Sequence, residues 1–286
     1  MLLRYCLYVL LSCCLCACTS RAEQVQETIT PAATAEVLVN PEGATIAERF
    51  RLPKGFTRVS YPQGSFASYL RSFPLKPHGA VVHYYDGTVK ANDGVYEAVL
   101  DIDVGKQNLQ QCADAIMRLR AEHLYQQQQY DSIRFNFNSG FRADYATWRQ
   151  GNRIQVRGNT CSWIKRAAPA TTYASFKEYL QLVFTYAGTL SLEKELKPVQ
   201  VTALQAGDVF IKGGSPGHAV VVVDAAVNPA TGEKLFLLAQ SYMPAQEIHI
   251  LRNPMDPDKS PWYSTRFGKQ LFTPEWTFNQ NQLRRF

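Results

Sequence analysis

The sequence predicts an α+β fold in which helices come first and an antiparallel sheet follows. Two segments, near residues 109–127 and 171–187, repeat apolar side chains at the spacing of an amphipathic helix. From Val201 onward, short apolar runs alternate with turn-forming residues, which is typical of strands joined by hairpins. Because 46% of the 286 residues are hydrophobic, the chain can bury the core that such a fold needs.

Residues 1–17 have the features of a secretory signal peptide. Arg4 precedes an apolar run from Tyr5 to Leu15, and small residues follow at the position of a cleavage site. The apolar run is too short to form a stable membrane span. Residues 1–17 are therefore expected to be removed from the mature protein.

The sequence Leu15-Cys16-Ala17-Cys18 resembles the lipobox of bacterial lipoproteins. The resemblance implies cleavage before Cys18 and lipidation of Cys18, and several acyl chains anchor a protein stably where one chain would be marginal. The protein is then expected in the bacterial cell envelope, with the outer membrane as its membrane partner. The alternative is an ordinary secretory signal cut nearby, and under both interpretations the protein leaves the cytoplasm.

Residues 18–46 are predicted to form the lipidated N-terminus and a flexible tether, because they are rich in Thr, Ala, Glu and Pro and contain no aromatic residue. Residues 47–286 are predicted to form a single α+β domain. Its first helix contains Phe66 and Phe73 and ends at Pro74. Residues 80–87 and 94–105 resemble two strands joined by a turn-rich segment.

The two long helices have recognisable ends. Asn108 is the expected N-cap of the helix at 109–127. Gly188 is the expected C-terminal stop of the second helix, and Ser191 is expected to cap a short third helix. A strand is predicted between them at residues 152–157.

The C-terminal sheet is predicted from four apolar runs, at residues 208–211, 218–227, 234–241 and 247–251. The segment NPATGE forms a hairpin between the second and third runs. Counting outward from this turn places His218 beside residues 240–243 on the next strand. The basic end of the chain, residues 283–286, is too short to indicate a function.

Charge and motif content exclude several classes of function. The net charge of +6 comes from scattered Lys and Arg residues, so no nucleic-acid partner is expected. The five histidines form no close pair at ligand spacing, and no CxxC or phosphate-binding loop is present. The sequence therefore predicts neither a metal nor an organic cofactor.

Cys112 is the first candidate for chemistry. It and Cys161 are the cysteines that remain after the signal peptide and Cys18 are set aside. In the first turn of a helix, free N–H groups and the macrodipole favour the nucleophilic thiolate, and Gln110 and Gln111 could supply amide donors to an oxyanion. The alternatives are that Cys112 packs as a small apolar residue or forms a disulfide with Cys161.

His218 is the second candidate. It follows the flexible segment GGSPG and begins an apolar strand, so a base at this position would be held rigidly beside an open loop. Gln240, Ser241 and Asp224 are the polar groups that could orient its ring. The alternative is a structural histidine at the end of a strand.

A helix with a cysteine near its start, followed by GDVFI…GHAVVVVD and a polar residue on the next strand, resembles the papain-like NlpC/P60 and CHAP amidases, which cleave peptidoglycan peptides. The resemblance implies a papain-like arrangement with Cys112 as nucleophile, His218 as base and Gln240 as orienting residue. It also implies peptidoglycan peptide or another envelope polymer as the partner. This chain has QQCADA where those enzymes have a DCSG-like motif.

Five segments, among them QCADAIMRLRAEHLY, FNFNSGFRADYATW and LLAQSYMPAQEIHIL, together resemble the Bacteroidota lipoprotein family called domain of unknown function 4846. This resemblance implies a lipoprotein without naming an activity. The first functional expectation is thus a cysteine-dependent amide hydrolase acting on cell-wall peptide. The alternatives are a non-catalytic envelope lipoprotein that binds glycan, peptide or a protein partner through the same cleft, and a structural protein with a Cys112–Cys161 disulfide.

Overall fold

The computed structural model describes residues 36–286, which form one compact unit. The predicted signal peptide, the lipidation site Cys18 and the first part of the tether lie outside the described residues. Residues 36–46 were predicted to belong to the tether. Leu38 is nevertheless buried in the core, and Ile46 begins the first helix.

Six α-helices are present in residues 36–286. They are α1 (Ile46–Arg49), α2 (Phe66–Arg71), α3 (Cys112–Gln126), α4 (Tyr145–Arg149), α5 (Tyr173–Tyr186) and α6 (Thr189–Glu195). Short 3₁₀ turns lie at Asp93–Val95, Tyr130–Ser132, Val201–Ala203 and Gln280–Gln282. None of the helices in this part of the chain is long and apolar enough to cross a membrane.

The strands of the same region number fifteen. They are β1 (Thr57–Arg58), β2 (Tyr96–Val99), β3 (Arg134–Asn136), β4 (Arg142–Asp144), β5 (Asn152–Arg157), β6 (Thr160–Lys165), β7 (Lys197–Pro198), β8 (Val209–Lys212), β9 (His218–Val227), β10 (Lys234–Gln240), β11 (His249–Leu251), β12 (Tyr263–Ser264), β13 (Gln270–Phe272), β14 (Thr277–Asn279) and β15 (Leu283–Arg285).

Nine of these strands form the main sheet, in the order β2-β11-β10-β9-β8-β15-β7, with β1 added to β9 and β12 added to β10. All pairs in this sheet are antiparallel. The pairs β3-β4, β5-β6 and β13-β14 form separate hairpins. The predicted α+β class, with helices preceding an antiparallel sheet, is confirmed.

The two faces of β9 serve two different cores because side chains alternate along a strand. Ala219, Val221 and Val223 belong to the larger cluster, which also contains the buried side of α3 and α5. Val220 and Val222 belong to a smaller cluster on the other face, formed with neighbouring strands and with Phe278 of β14. The strand is buried on both faces, which explains its nearly continuous run of apolar residues.

Several predicted elements differ from the structure. α3 begins at Cys112, with Gln111 as its N-cap, three residues after the predicted start. Gly188 directly follows Ala187, the C-cap of α5, as predicted, and it is also the N-cap of α6. Ser191 lies inside α6, where its Oγ accepts the Gly188 N–H at 3.1 Å. Residues 80–87 contain only isolated bridges rather than a strand. Gly188 and Ser191 thus lie at helix ends, as their residue types indicate, whereas the predictions of an N-cap at Asn108 and a strand at residues 80–87 were wrong.

The C-terminal residues have a structural role that their composition does not indicate. β15 lies inside the main sheet, between β8 and β7. Arg285 pairs with the fully buried Asp208, with Nε 2.6 Å from Oδ1 and Nη2 2.8 Å from Oδ2. The three-residue strand is thus held by an ion pair to a buried carboxylate as well as by its backbone pairing with β8 and β7.

Candidate active site

Cys112 is the first residue of α3, and its side chain is 7% exposed. It lines a cavity of about 420 Å³ together with Gln111, Met243 and the segment 214–217. Gly217 suits a close approach at this point, because a Cβ there would lie 2.5 Å from Thr189 Oγ1 and 2.8 Å from Lys212 O. The thiol is therefore next to an open space bordered by the loop that precedes β9.

The start of α3 packs against the segment that follows β10. Backbone pairing of β9 with β10 ends before that segment, at Val221 and Ala239. Ser241 Oγ lies 3.0 Å from Gln110 O, and the Ala245 N–H donates to Asn108 Oδ1 at 2.8 Å.

The environment of the thiol disfavours its ionised form. Burial, with a smaller contribution from Asp114, raises the pKa of Cys112 to about 11. The nearby N–H groups of Ala113 and Ala219 act in the opposite direction but do not offset the burial. The expectation that the helix start lowers this pKa is therefore wrong, because the desolvation of a buried thiolate exceeds the effect of the helix end.

Alkylation of Cys112 by iodoacetamide is expected to be slow at neutral pH and to accelerate about tenfold per pH unit up to pH 10. The reason is that the thiolate fraction grows tenfold per unit below a pKa of about 11. Mass spectrometry of the Cys112 peptide measures the rate, and Cys161, which is partly exposed, is the internal control. A rate that levels off below pH 8.5 would contradict the buried environment described above.

His218 begins β9 and is 1% exposed. Its Nε2 lies 2.9 Å from Oε1 of Gln240, the last residue of β10. Since an amide oxygen only accepts, Nε2 carries the proton and Nδ1 is the basic ring nitrogen. Burial lowers the pKa of His218 to about 4, and the bond to Gln240 offsets only part of this shift. The imidazole is thus neutral at physiological pH.

The orientation of the Gln240 amide is fixed by two further residues. Its Nε2 donates to Glu275 Oε2 at 2.6 Å and lies 3.3 Å from His249 Nε2. Glu275 Oε1 in turn accepts from Lys90 Nζ at 2.7 Å, and Lys90 is almost completely buried. Because a carboxylate oxygen cannot donate, Glu275 keeps the amide nitrogen away from His218 and the amide oxygen towards it.

Glu275 and Lys90 were not singled out in the sequence. They lie 35 residues after and 150 residues before Gln240, and no local pattern joins them to the strand. Trp276 and Phe278, like these two residues, were not singled out in the sequence as neighbours of the imidazole. Its ring centroid lies 4.8 Å from that of Tyr242, 5.4 Å from that of Trp276 and 5.9 Å from that of Phe278.

No hydrogen bond joins Cys112 to His218 in the described part of the chain, and His218 does not line the cavity beside Cys112. His218 projects from the sheet face opposite to the one on which α3 packs, in line with Val220 and Val222. Cys112 lies at the end of the sheet, where its sulfur is close enough to the Ala219 N–H for that group to affect the thiol pKa. Because Ala219 directly follows His218, Cys112 and His218 lie at the same end of β9.

The amide donors proposed beside Cys112 are already occupied or lie elsewhere. Gln111 lines the cavity, but its Nε2 donates to Asn108 Oδ1 at 3.2 Å. Gln110 is buried, and its Oε1 accepts from Arg118 Nη1 at 3.1 Å. Gln110 does not line the cavity of Cys112, so the donors available there are backbone N–H groups of the first turn of α3.

A Cys112–Cys161 disulfide is absent, because both thiols are free. Cys161 lies on β6, with its sulfur 3.9 Å from Ser139 Oγ. Among residues 36–286, no group of three or more His, Cys, Asp or Glu side chains is arranged to hold a metal ion. The site therefore consists of a thiol beside a cavity, a neutral imidazole and the hydrogen-bonded network behind it.

Comparison with known proteins extends these observations only at the level of the family. No curated protein and no solved structure matches this chain. A family model described as "Domain of unknown function (4846)" matches residues 46–285. This range covers all the elements from α1 to β15 and includes Cys112, His218, Gln240 and Glu275. The chain therefore belongs to the family Domain of unknown function (4846).

Proposed function

We propose that this chain is a cell-envelope lipoprotein that hydrolyses an amide bond in cell-wall peptide, with Cys112 as nucleophile and His218 as general base. Lipidation of Cys18, association with the outer membrane, an origin among Bacteroidota lipoproteins and a distant relationship to the papain-like NlpC/P60 and CHAP amidases are parts of the same proposal. The supporting observation is that a cavity-lining thiol at a helix start lies at the same end of β9 as a histidine whose Nε2 is held by Gln240.

The chemistry starts from a neutral pair of side chains. His218 Nδ1 takes the thiol proton as the Cys112 sulfur attacks the carbonyl carbon of the amide. The resulting oxyanion is stabilised by backbone N–H groups at the start of α3. When the C–N bond breaks, His218 returns the proton to the leaving amine, and a thioester remains on Cys112. Water, deprotonated by His218, then releases the carboxylate product and restores the thiol.

Gln240 and Glu275 act behind the reacting groups as positioning residues. Gln240 Oε1 accepts from His218 Nε2 and so selects the tautomer in which Nδ1 is free to accept a proton. Glu275 holds the amide in that orientation, and its own charge is balanced by Lys90. In the resting enzyme, this network favours the neutral tautomer in which Nδ1 carries no proton and can accept one from the thiol.

The test is the hydrolysis of purified peptidoglycan by the full chain, recovered from the membrane fraction in detergent. The wild-type protein is expected to release new amino groups, and Cys112→Ser is expected to release none. Cys161→Ser is the matched control and should retain activity, since Cys161 does not line the cavity. Equal release by the wild-type and Cys112→Ser proteins would reject the nucleophile. Recovery of the chain in the soluble fraction would reject the lipid anchor.

A second candidate function is non-catalytic binding of glycan, peptide or a protein partner in the same cavity. The observation that favours it is electrostatic: burial keeps the Cys112 thiol protonated and the His218 imidazole neutral, and no hydrogen bond joins them. Under this alternative, wild-type and Cys112→Ser proteins would sediment equally with peptidoglycan, and neither would release amino groups.

A further inference from the structure

A second cavity, of about 220 Å³, lies where α2 and α3 meet the segment that precedes β8. It shares no lining residue with the cavity beside Cys112. Arg120 lines the second cavity and follows Cys112 by eight residues on α3, so the two residues are separated by about 12 Å along the helix axis. The second cavity is therefore a separate candidate site.

Arg120 gives this cavity a cation without a counter-ion among residues 36–286. Its guanidinium carbon lies 5.0 Å from the ring centroid of Phe66 and 5.4 Å from that of Phe286, and both rings line the cavity. Burial alone shifts the pKa of Arg120, which it lowers, so no carboxylate lies close enough to raise it. A guanidinium keeps its charge at neutral pH even so. Its nitrogen atoms reach the solvent, so they are accessible to a ligand.

The other charges that line the cavity balance each other. Asp208 accepts from Arg285 Nε at 2.6 Å and from Arg285 Nη2 at 2.8 Å, and its Oδ2 also accepts the Gln205 N–H at 2.9 Å. Two guanidinium groups and one carboxylate thus line the cavity, and the positive charge of Arg120 is left over. A monoanion balances this charge, whereas a dianion would place a further negative charge near Asp208.

Two hydroxyl groups add donors to the lining. The Tyr61 hydroxyl oxygen accepts the Ala206 N–H at 2.9 Å, and Ser65 Oγ accepts the Ser68 N–H at 3.2 Å. Neither hydroxyl donates to another group among residues 36–286, so each keeps a hydrogen for a ligand. Burial raises the pKa of Tyr61 to about 12, so its hydroxyl stays protonated at neutral pH.

We propose that this second cavity binds a carboxylate group, which pairs with the Arg120 guanidinium beside the hydroxyls of Tyr61 and Ser65. A carboxylate is a monoanion whose two oxygens match the parallel N–H groups of a guanidinium. The volume equals that of about seven water molecules, so it admits the carboxylate with a short apolar chain against Pro62 and Ala67. Two sources fit: the α-carboxylate at the end of a peptide and the side-chain carboxylate of an acidic residue. The site goes beyond the proposed function, because it does not involve the thiol.

The test measures binding to the full chain in the Cys112→Ser background, where no cleavage interferes. Calorimetry compares acetyl-Ala-Ala with its C-terminal amide, and acetyl-Ala-Glu amide with acetyl-Ala-Gln amide. The carboxylate member of at least one pair is expected to bind at least about tenfold more tightly than its neutral counterpart. Preference in the first pair identifies an α-carboxylate, and preference in the second identifies a side-chain carboxylate. No preference in either pair would overturn the inference, and binding of dimethyl phosphate but of neither carboxylate peptide would do so as well.

Arg120→Gln is the decisive variant, because it removes the charge and keeps a polar, helix-compatible side chain. It is expected to abolish the preference while leaving the affinity for the amides within about twofold. Arg120→Lys should retain part of the preference, since an ammonium keeps the charge without the paired N–H groups. Arg157→Gln changes an exposed arginine at the end of β5, outside the cavity, and is the matched control that should keep the full preference. An Arg120→Gln protein that still prefers the carboxylate peptides would overturn the inference.

Binding at Arg120 and catalysis at Cys112 are tested separately. If the wild-type chain releases no amino groups from peptidoglycan but the carboxylate preference depends on Arg120, only the hydrolase is rejected. If the wild-type chain hydrolyses peptidoglycan and binds the acids and amides equally, only the carboxylate site is rejected. The comparison of peptides with unmutated Arg120 decides the inference even if Arg120→Gln fails to fold.

Discussion

Alanine in place of His218 is expected to lower kcat/KM for the amide substrate by about 10³-fold, which is within the range that a general base contributes. The thiol pKa of about 11 means that the sulfur needs a base to lose its proton at neutral pH. His218 Nδ1 is the ring nitrogen left for this step, since Nε2 is bonded to Gln240. Steady-state hydrolysis measures the loss, and a melting curve verifies that the variant is folded.

The pH profile of the wild-type enzyme separates a base from a structural histidine. The neutral imidazole is lost as the pH falls through about 4, and the protonated thiol is lost as it rises through about 11. We therefore expect kcat/KM to be level from roughly pH 5 to 10. His83→Ala, which changes a partly exposed histidine, is the control and should retain activity. Wild-type activity in a folded His218→Ala protein would refute the role of the base.

Alanine in place of Asp224 is expected to lower the free energy of unfolding by about 3–5 kcal/mol, because it removes the carboxylate of a buried charge cluster and leaves the cationic partners in place. Asp224 is fully buried, with Arg58 Nε 2.8 Å from Oδ2 and Arg71 Nε 2.6 Å from Oδ1. The two arginines belong to β1 and α2, so the carboxylate attaches the N-terminal part of the domain to β9. Its removal leaves two partly buried guanidinium groups without a counter-ion.

Urea unfolding followed by circular dichroism measures this loss. Asp131→Ala, at an exposed position, is the control and should change the free energy of unfolding by less than about 0.5 kcal/mol. Arg58 also donates to the carbonyl oxygens of Ala47 and Phe50, at 2.8 and 2.6 Å, and those bonds remain in the variant. A loss below about 1 kcal/mol would show that these remaining bonds, rather than the ion pairs, hold the arginine.

The strands of the structure differ in how well the local sequence pattern predicts them. The runs at 218–227 and 152–157 were predicted with the boundaries of β9 and β5, because turn-forming residues flank a continuous apolar run in β9 and an alternating pattern in β5. β15 and the hairpin β13-β14 were not predicted. Their three-residue strands carry too little periodicity, and they are strands because of the neighbours with which they pair.

In the candidate site, too, some contacts can be predicted from the sequence and others arise only from tertiary packing. The proximity of His218 and Gln240 follows from counting along one hairpin, since their strands are adjacent in the chain. Lys90 and Glu275 complete the network from distant segments, and only the packed sheet brings them together.

By itself, the sequence determined the fold class, the start of β9 at His218 and the position of Cys112 at the beginning of a helix. These features depend on side-chain periodicity and on end signals within a few residues. The tertiary structure alone decided the protonation states of the two groups and which residues support them. Helix position favours a thiolate at Cys112, but burial against β9 raises its pKa to about 11, since desolvation depends on everything packed around the sulfur.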